Sequence, residues 1–122
     1  MNYLSEQLSG ADLELLDPLL SQENHLWTGR FHGLILKTAL QPIFSISHKR
    51  IIGYEALIRA FDPDNASVPP FQLFGLPDTD QENVLLDRLC RLLHIRNYAA
   101  FQDDVNWPFL NVSPRVLASG YP

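Results

Sequence analysis

The segment from Leu40 to Phe61 constrains the fold of this chain more than any other part of the sequence. It contains two runs rich in isoleucine and aromatic residues, LQPIFSI and IIGYEALIRAF, separated by a short polar stretch at residues 47–50. Two such runs joined by a short polar connection are typical of an antiparallel β-hairpin. The sequence therefore predicts a hairpin around which the other elements pack.

The second run of this hairpin carries charges on an otherwise apolar strand. Because side chains alternate between the two faces of a strand, Glu55, Leu57 and Arg59 are predicted to share one face. Burial of an unpaired carboxylate or guanidinium is costly. The pattern alone leaves two interpretations open: a solvated outer face of a two-layer sheet, or a functional face.

Several short motifs, taken in order, resemble one protein family. Gln41 opens the motif QPI, Glu55 lies within GYEAL and is followed by Arg59, and Asn111 opens the motif NVSP. This ordered set resembles the EAL domains, which are bacterial phosphodiesterases and receptors of cyclic di-GMP. The resemblance extends from about residue 36 to the last residue of the sequence.

The resemblance implies an α/β fold, a TIM-like (β/α) barrel whose first strand is antiparallel to the others. Such a barrel usually needs about 200 residues or more, whereas the sequence has 122. We therefore expect residues 36–122 to form the N-terminal portion of a truncated EAL domain. Residues 1–35 are expected to form a helical arm or linker, and the family's further metal ligands are expected beyond Pro122.

The resemblance also implies roles for individual residues. Glu55 and Asn111 match positions that supply oxygen ligands to Mg²⁺ or Mn²⁺, and such hard cations favour oxygen donors. Arg59 matches the residue that holds a phosphate oxygen of the substrate, and Gln41 and Leu57 match positions that line the substrate pocket. In the family, water activated by the metal hydrolyses cyclic di-GMP to linear pGpG.

Three interpretations of the function follow. In the first, the chain is part of a cyclic di-GMP phosphodiesterase and is inactive by itself, because the remaining ligands lie elsewhere. In the second, it is a non-catalytic EAL-like module that binds cyclic di-GMP or a partner protein in signalling. In the third, it is an unrelated α/β domain with accidental motif matches. The presence of Glu55, Arg59 and Asn111 argues against a degenerate site in this part of the domain.

Composition and charge exclude several other classes of protein. A net charge of −5 argues against a broad nucleic-acid-binding surface, which would need clustered Lys and Arg. No apolar run approaches the roughly 20 residues that a membrane-spanning helix needs, so no membrane insertion is expected, and no secretory leader is visible. Cys90 is the single cysteine, which favours a reducing compartment. We expect a cytoplasmic protein.

Two helices are predicted outside the hairpin. One falls within residues 9–22, where Pro18 is expected to end or restart it because proline lacks the N–H that an internal turn needs. The other is predicted to begin after Thr79, which forms a capping-box pattern with Glu82, and to run to about Asn97.

The remaining features are predicted to be structural. Residues 62–70 have the composition of a loop, and Phe109–Ser113 is predicted to be a strand. Cys90 lies on the apolar stripe of the second helix, where packing is expected rather than nucleophilic chemistry. The spacing of His25 and His32 matches no familiar zinc arrangement.

We predict that the chain self-associates. With only three barrel strands expected, the apolar residues of the hairpin and helix have too few partners, and exposed strand edges pair readily with another chain. The expected species is a dimer or larger assembly, including one in which strands or the N-terminal arm are exchanged. Light scattering checks this prediction, and a stable monomer that unfolds cooperatively would contradict it.

Overall fold

The structure, a computed structural model, describes residues 8–103 and combines helices with one antiparallel sheet. Five strands lie in the order β1-β2-β3-β4-β5, and the long helix α3 packs on one face of the sheet. This arrangement is compatible with the predicted α/β class. The elements are α1 (Gly10–Leu16), a 3₁₀ turn (Asp17–Leu19), β1 (Leu20–Glu23), β2 (Leu26–Phe31), β3 (Leu34–Ser45), β4 (Arg50–Phe61), β5 (Ser67–Val68), α2 (Pro70–Leu73) and α3 (Asp80–Asp103).

The predicted hairpin is confirmed as β3 and β4, which pair along their whole length. The connection is held locally, because the Ser45 hydroxyl accepts a hydrogen bond from the His48 backbone N–H at 3.2 Å. Ile43 pairs with Gly53 and Phe44 pairs with Ile51. Residue 52 is therefore the extra residue of a β-bulge between the turn and the middle of the hairpin.

The N-terminal segment is helical only at its start. The sequence predicts a helix within residues 9–22, but α1 ends at Leu16 and a 3₁₀ turn containing Pro18 follows. The prediction of a helical arm is wrong for residues 20–31, which form β1, a turn and β2. Asn24 and His25 connect these strands with φ angles of 53° and 72°, as a tight two-residue hairpin turn requires.

The long helix begins where the capping pattern predicts. The Glu82 backbone N–H donates to the Thr79 hydroxyl at 3.1 Å, while the Glu82 carboxylate accepts from the Asp78 N–H at 2.9 Å. The helix extends beyond the predicted end near Asn97 and continues to Asp103. It continues because the apolar stripe does: the Phe101 ring contacts the ring of Tyr54 on β4 with centroids 5.0 Å apart.

The predicted loop at residues 62–70 contains two short elements. Asp62 closes a turn by accepting hydrogen bonds from the N–H groups of Asp64 and Ala66, both at 2.9 Å. The chain then forms β5, which pairs with the end of β4, and α2 starts at Pro70. Tertiary pairing with β4 thus gives strand structure to a stretch that composition alone assigns to a loop.

The core lies between α3 and the sheet. Leucine side chains from α3 and β3 dominate it, and Leu73 of α2 closes one side. Gly29 on β2 faces this core, where a β-carbon would be in ordinary van der Waals contact with the Leu20 side chain at 3.4 Å and that of Leu89 at 3.7 Å. The face of β3 and β4 opposite to α3 is not part of this core. The buried hydrophobic residues are Leu16, Leu20, Phe31, Leu36, Leu40, Ala60, Leu73, Leu86, Leu89, Cys90, Leu92 and Leu93.

A buried amide joins the helix to two strands. The Asn97 side chain is completely inaccessible to solvent. Its Oδ1 accepts a hydrogen bond from the Trp27 N–H at 2.7 Å, and its Nδ2 donates to the Trp27 carbonyl at 2.9 Å and to Thr38 Oγ1 at 3.0 Å. Both amide hydrogens are therefore used, which is what a buried asparagine requires.

Asn97→Leu is expected to destabilise the protein by about 3 kcal/mol, because the buried groups of Trp27 and Thr38 would lose their partners. Urea denaturation followed by circular dichroism measures the change. The matched control is Gln102→Ala on the exposed side of the same helix, which should change the unfolding free energy by less than about 0.5 kcal/mol. Equal stability of the two variants would show that the amide network contributes little.

The same network reaches a histidine. Thr38 Oγ1 lies 2.8 Å from His94 Nδ1. Thr38 Oγ1 also accepts a hydrogen bond from Asn97 Nδ2, so it links His94 to the buried amide network. Burial lowers the pKa of His94 from 6.5 to about 4, since the interior disfavours the charged ring.

This lowered pKa predicts a loss of stability in mild acid. The unfolded chain binds a proton at His94 near pH 6.5, and the folded protein does so only near pH 4. The unfolding free energy should therefore have its highest value, as far as His94 contributes, above pH 6.5. It should decrease by about 3 kcal/mol as the pH falls towards 4. Urea denaturation at a series of pH values measures this slope.

His94→Gln is the control for the pH series. The lowered pKa values of Asp12 and Glu82 also reduce stability as the pH falls, so only the difference between the native protein and the variant reports on His94. Between pH 4 and 6.5, the unfolding free energy of the variant should depend less steeply on pH than that of the native protein. The difference in slope should correspond to the uptake of about one proton on unfolding. Identical slopes would mean that folding does not lower the pKa of His94.

Candidate functional site

Four of the five residues assigned by resemblance lie on one face of the β3–β4 hairpin. Gln41 is the direct cross-strand neighbour of Glu55. Because alternate residues share a face, Leu57 and Arg59 lie on the same side of β4 as Glu55. Helix α3 packs on the opposite side, where Thr38 is buried. The prediction that Glu55, Leu57 and Arg59 share a face is confirmed.

The spacing on this face separates two kinds of chemistry. Glu55 and Gln41, as a directly opposed pair, have Cα atoms about 5 Å apart. Arg59 follows Glu55 by four residues, which corresponds to about 13 Å along the strand. Leu57 lies midway between the two charges. An oxygen-donor end and a cationic end are thus separated by an apolar centre.

Both charged groups are accessible. Glu55 and Arg59 are exposed, whereas Gln41 and Leu57 are half-buried. Arg59 Nη1 donates to the Ile58 carbonyl at 3.2 Å. Within residues 8–103, the charged side chains of this face are exposed to solvent, which is compatible with both interpretations that the sequence leaves open. Exposure avoids the desolvation cost of a buried charge, and it leaves the carboxylate and the guanidinium able to reach a ligand.

Lys37 is a further candidate, which the sequence motifs do not indicate. It pairs directly with Arg59 across the hairpin, and its Nζ lies 5.1 Å from the centroid of the Phe61 ring. Lys37 and Arg59 thus bring two cationic side chains to directly opposed positions on this face. The sequence does contain an indication of this position. Because alternate residues of a strand share a face, Lys37, Ala39 and Gln41 lie on one face of β3.

The donor chemistry at Glu55 fits a divalent cation but is incomplete within the described residues. A carboxylate opposed by the amide oxygen of Gln41 is the hard donor set that Mg²⁺ and Mn²⁺ prefer. Between residues 8 and 103, no group of three or more His, Cys, Asp or Glu side chains is arranged to hold a metal ion. The second predicted ligand, Asn111, lies outside the described residues.

Other titratable groups on the predicted elements have structural contacts. Burial raises the pKa of the Cys90 thiol to about 12, in agreement with a packing role. His32 Nε2 lies 2.9 Å from the Glu82 carboxylate and joins the β2–β3 turn to the start of α3. His25 occupies the β1–β2 turn.

None of the helices between residues 8 and 103 combines the length and apolar character that crossing a bilayer requires.

The comparisons with known proteins give one family. No curated protein and no solved structure matches the chain. The family model described as EAL domain matches residues 30–120, which are 91 of the 122 residues. The resemblance inferred from the motifs is thereby confirmed, and the chain belongs to the EAL domain family of cyclic di-GMP signalling proteins, which are generally metal-dependent.

Proposed function

We propose that the hairpin face formed by Gln41, Glu55, Leu57 and Arg59 is part of a site that hydrolyses cyclic di-GMP to linear pGpG. The observation that carries the proposal is the register of β3 and β4. It sets Gln41 opposite Glu55 and places Leu57 and Arg59 on the same accessible face. Family membership supplies the substrate class.

Each residue has a distinct task in this proposal. Glu55, with Asn111, would hold Mg²⁺ or Mn²⁺, which would supply Lewis-acid stabilisation of charge on the phosphate and lower the pKa of water. Arg59 binds the phosphate through parallel hydrogen bonds from its planar guanidinium. Lys37, opposite Arg59, adds positive charge at the same end. Gln41 and Leu57 line the pocket beside the substrate.

A free strand edge supports the inclusion of Asn111. Within residues 8–103, β5 pairs only with Ala60 and Phe61, so most of that edge of β4 has no strand beside it. A strand that follows α3 and lies parallel to β4 would complete a right-handed crossover. The predicted strand Phe109–Ser113 would then bring Asn111 beside Glu55. If this strand–helix–strand unit is repeated, the sheet closes into a barrel. We therefore propose the TIM-like barrel of the family for the complete domain.

Residues 1–35 are proposed as an N-terminal arm packed on the EAL portion at residues 36–122. Two ion pairs support this: Asp12 to Arg88 at 2.6 Å and Asp17 to Arg96 at 2.7 Å. The Arg96 guanidinium also lies over the Trp27 ring, 4.5 Å from its centroid.

The proposed setting is the bacterial cytoplasm, where the family's substrate acts, and the proposed assembly is a dimer.

The test compares Glu55→Gln and Arg59→Ala in the full-length protein by measuring pGpG formation across a Mn²⁺ titration. Glu55→Gln weakens cation binding, so its loss of turnover should be partly restored by more metal. Arg59→Ala removes a phosphate contact, so it should raise KM about tenfold or more at every metal concentration. Exposed residues Glu23→Gln and Arg30→Ala on β1 and β2 are the matched charge controls.

The outcomes separate the alternatives. Both site residues are exposed, so each variant should keep its unfolding free energy within about 0.5 kcal/mol, and lost activity then reports on the site. Unchanged kinetics in both variants would refute the site assignment. Binding of cyclic di-GMP that needs Arg59 but produces no pGpG would instead identify a non-catalytic signalling module.

A further inference from the structure

Charge is segregated along this chain. The stretch between Glu23 and Glu55, residues 24–54, contains no acidic residue. The stretch carries four Lys or Arg residues and three of the four histidines, so its formal charge is +4 and that of the remaining sequence is −9. A protein that is acidic overall therefore has a basic stretch that includes the whole β3–β4 turn.

The β3–β4 turn projects from the described body. Tyr54, which contacts Phe101 near the end of α3, is paired with Pro42. The hairpin continues beyond this level to its turn, a distance of about 10 Å along the strands. Every side chain from Ile46 to Arg50 is exposed. The turn thus extends beyond the level of the Tyr54–Phe101 contact, and its side chains are accessible to a surface.

The exposed side chains of this turn are of two kinds. Ile46 is 69% exposed and Ile52, the bulge residue, is 58% exposed. Between them in sequence lie His48, Lys49 and Arg50, all exposed. We name these five residues the basic tip. Exposed aliphatic side chains beside successive cations are the combination of groups that binds the interface of an anionic bilayer.

The shape of the turn is fixed before any partner binds. The Ser45 hydroxyl lies 2.9 Å from His48 Nδ1 and also accepts the His48 backbone N–H. Lys49 takes a φ of 53°, which completes the reversal of the chain. The backbone of the tip is therefore ordered by its own contacts, so binding costs little additional conformational entropy.

We propose that the basic tip docks onto the headgroup region of an anionic lipid bilayer. Lys49 and Arg50 would lie among the anionic headgroups, and Ile46 and Ile52 would enter the boundary with the acyl chains. Nothing crosses the bilayer in this arrangement. The acidic remainder of the chain is repelled by the same surface, which orients the protein with the hairpin towards the membrane.

The isoleucines distinguish this partner from other anionic ones. A polyanion such as a nucleic acid would be recognised by the cations alone, whereas a bilayer also gains from burying the two exposed aliphatic side chains. The interaction is expected to be weak and salt-sensitive, because each cation near an anionic surface strengthens binding only about fivefold. The inference stands independently of the proposed phosphodiesterase activity.

Co-sedimentation of the full chain with vesicles tests the proposal. Vesicles of phosphatidylcholine with about a third phosphatidylglycerol should bind the protein, and vesicles of phosphatidylcholine alone should not. Lys49→Gln should weaken binding about fivefold. The matched control Arg30→Gln removes the same charge from an exposed position on β2, within the same acid-free stretch, and should change binding less than twofold.

Ile46→Ser with Ile52→Ser separates a bilayer from a simple polyanion. This variant should lose vesicle binding while its retention on heparin stays unchanged. The proposal is overturned if the two serine substitutions leave vesicle binding intact, or if Arg30→Gln weakens it as much as Lys49→Gln. It is also overturned if the tip substitutions abolish salt-sensitive self-association without vesicles, which would identify a second copy as the partner. Circular dichroism confirms that each variant is folded.

Discussion

The amide of Asn97 is the contact on which the arrangement of the described residues depends. It binds both backbone groups of Trp27 on β2 and the hydroxyl of Thr38 on β3, so a single side chain of α3 fixes the helix against two strands. Leucine packing alone would permit several rotations of the helix, because apolar contacts have little directionality. The amide selects one of them. With α3 fixed on one face of the sheet, the opposite face of the hairpin is left for ligand chemistry.

Local sequence signals account for the elements that stabilise themselves. The β3–β4 hairpin follows from alternation and a polar turn, and the start of α3 follows from the Thr79 cap. Strand β1 is different, because LSQE has a single apolar residue and becomes a strand through pairing with β2. The local feature that favours a hairpin here is Asn24, in the turn that connects β1 to β2. The end of α3 was also missed, because the contact of Phe101 with Tyr54 joins residues distant in sequence.

The candidate site shows the same division. Period-two alternation placed Glu55, Leu57 and Arg59 together without a structure. The pairing of Gln41 with Glu55 depends on the register of two strands, and a shift of one residue would have placed these side chains on opposite faces. Lys37 was overlooked because its importance comes from lying opposite Arg59. Sequence thus predicted the contents of one strand, whereas the structure supplied the relation between strands.

The β-bulge at residue 52 lies between the turn and the paired positions Gln41 and Glu55. A bulge takes up one residue on one strand without moving the ladder on its far side. Gain or loss of a residue in the turn can therefore be absorbed there, before it inverts the faces of the strands beyond. As a result, the turn can diversify in length and chemistry during evolution, while the register that aligns the carboxylate with the amide is retained.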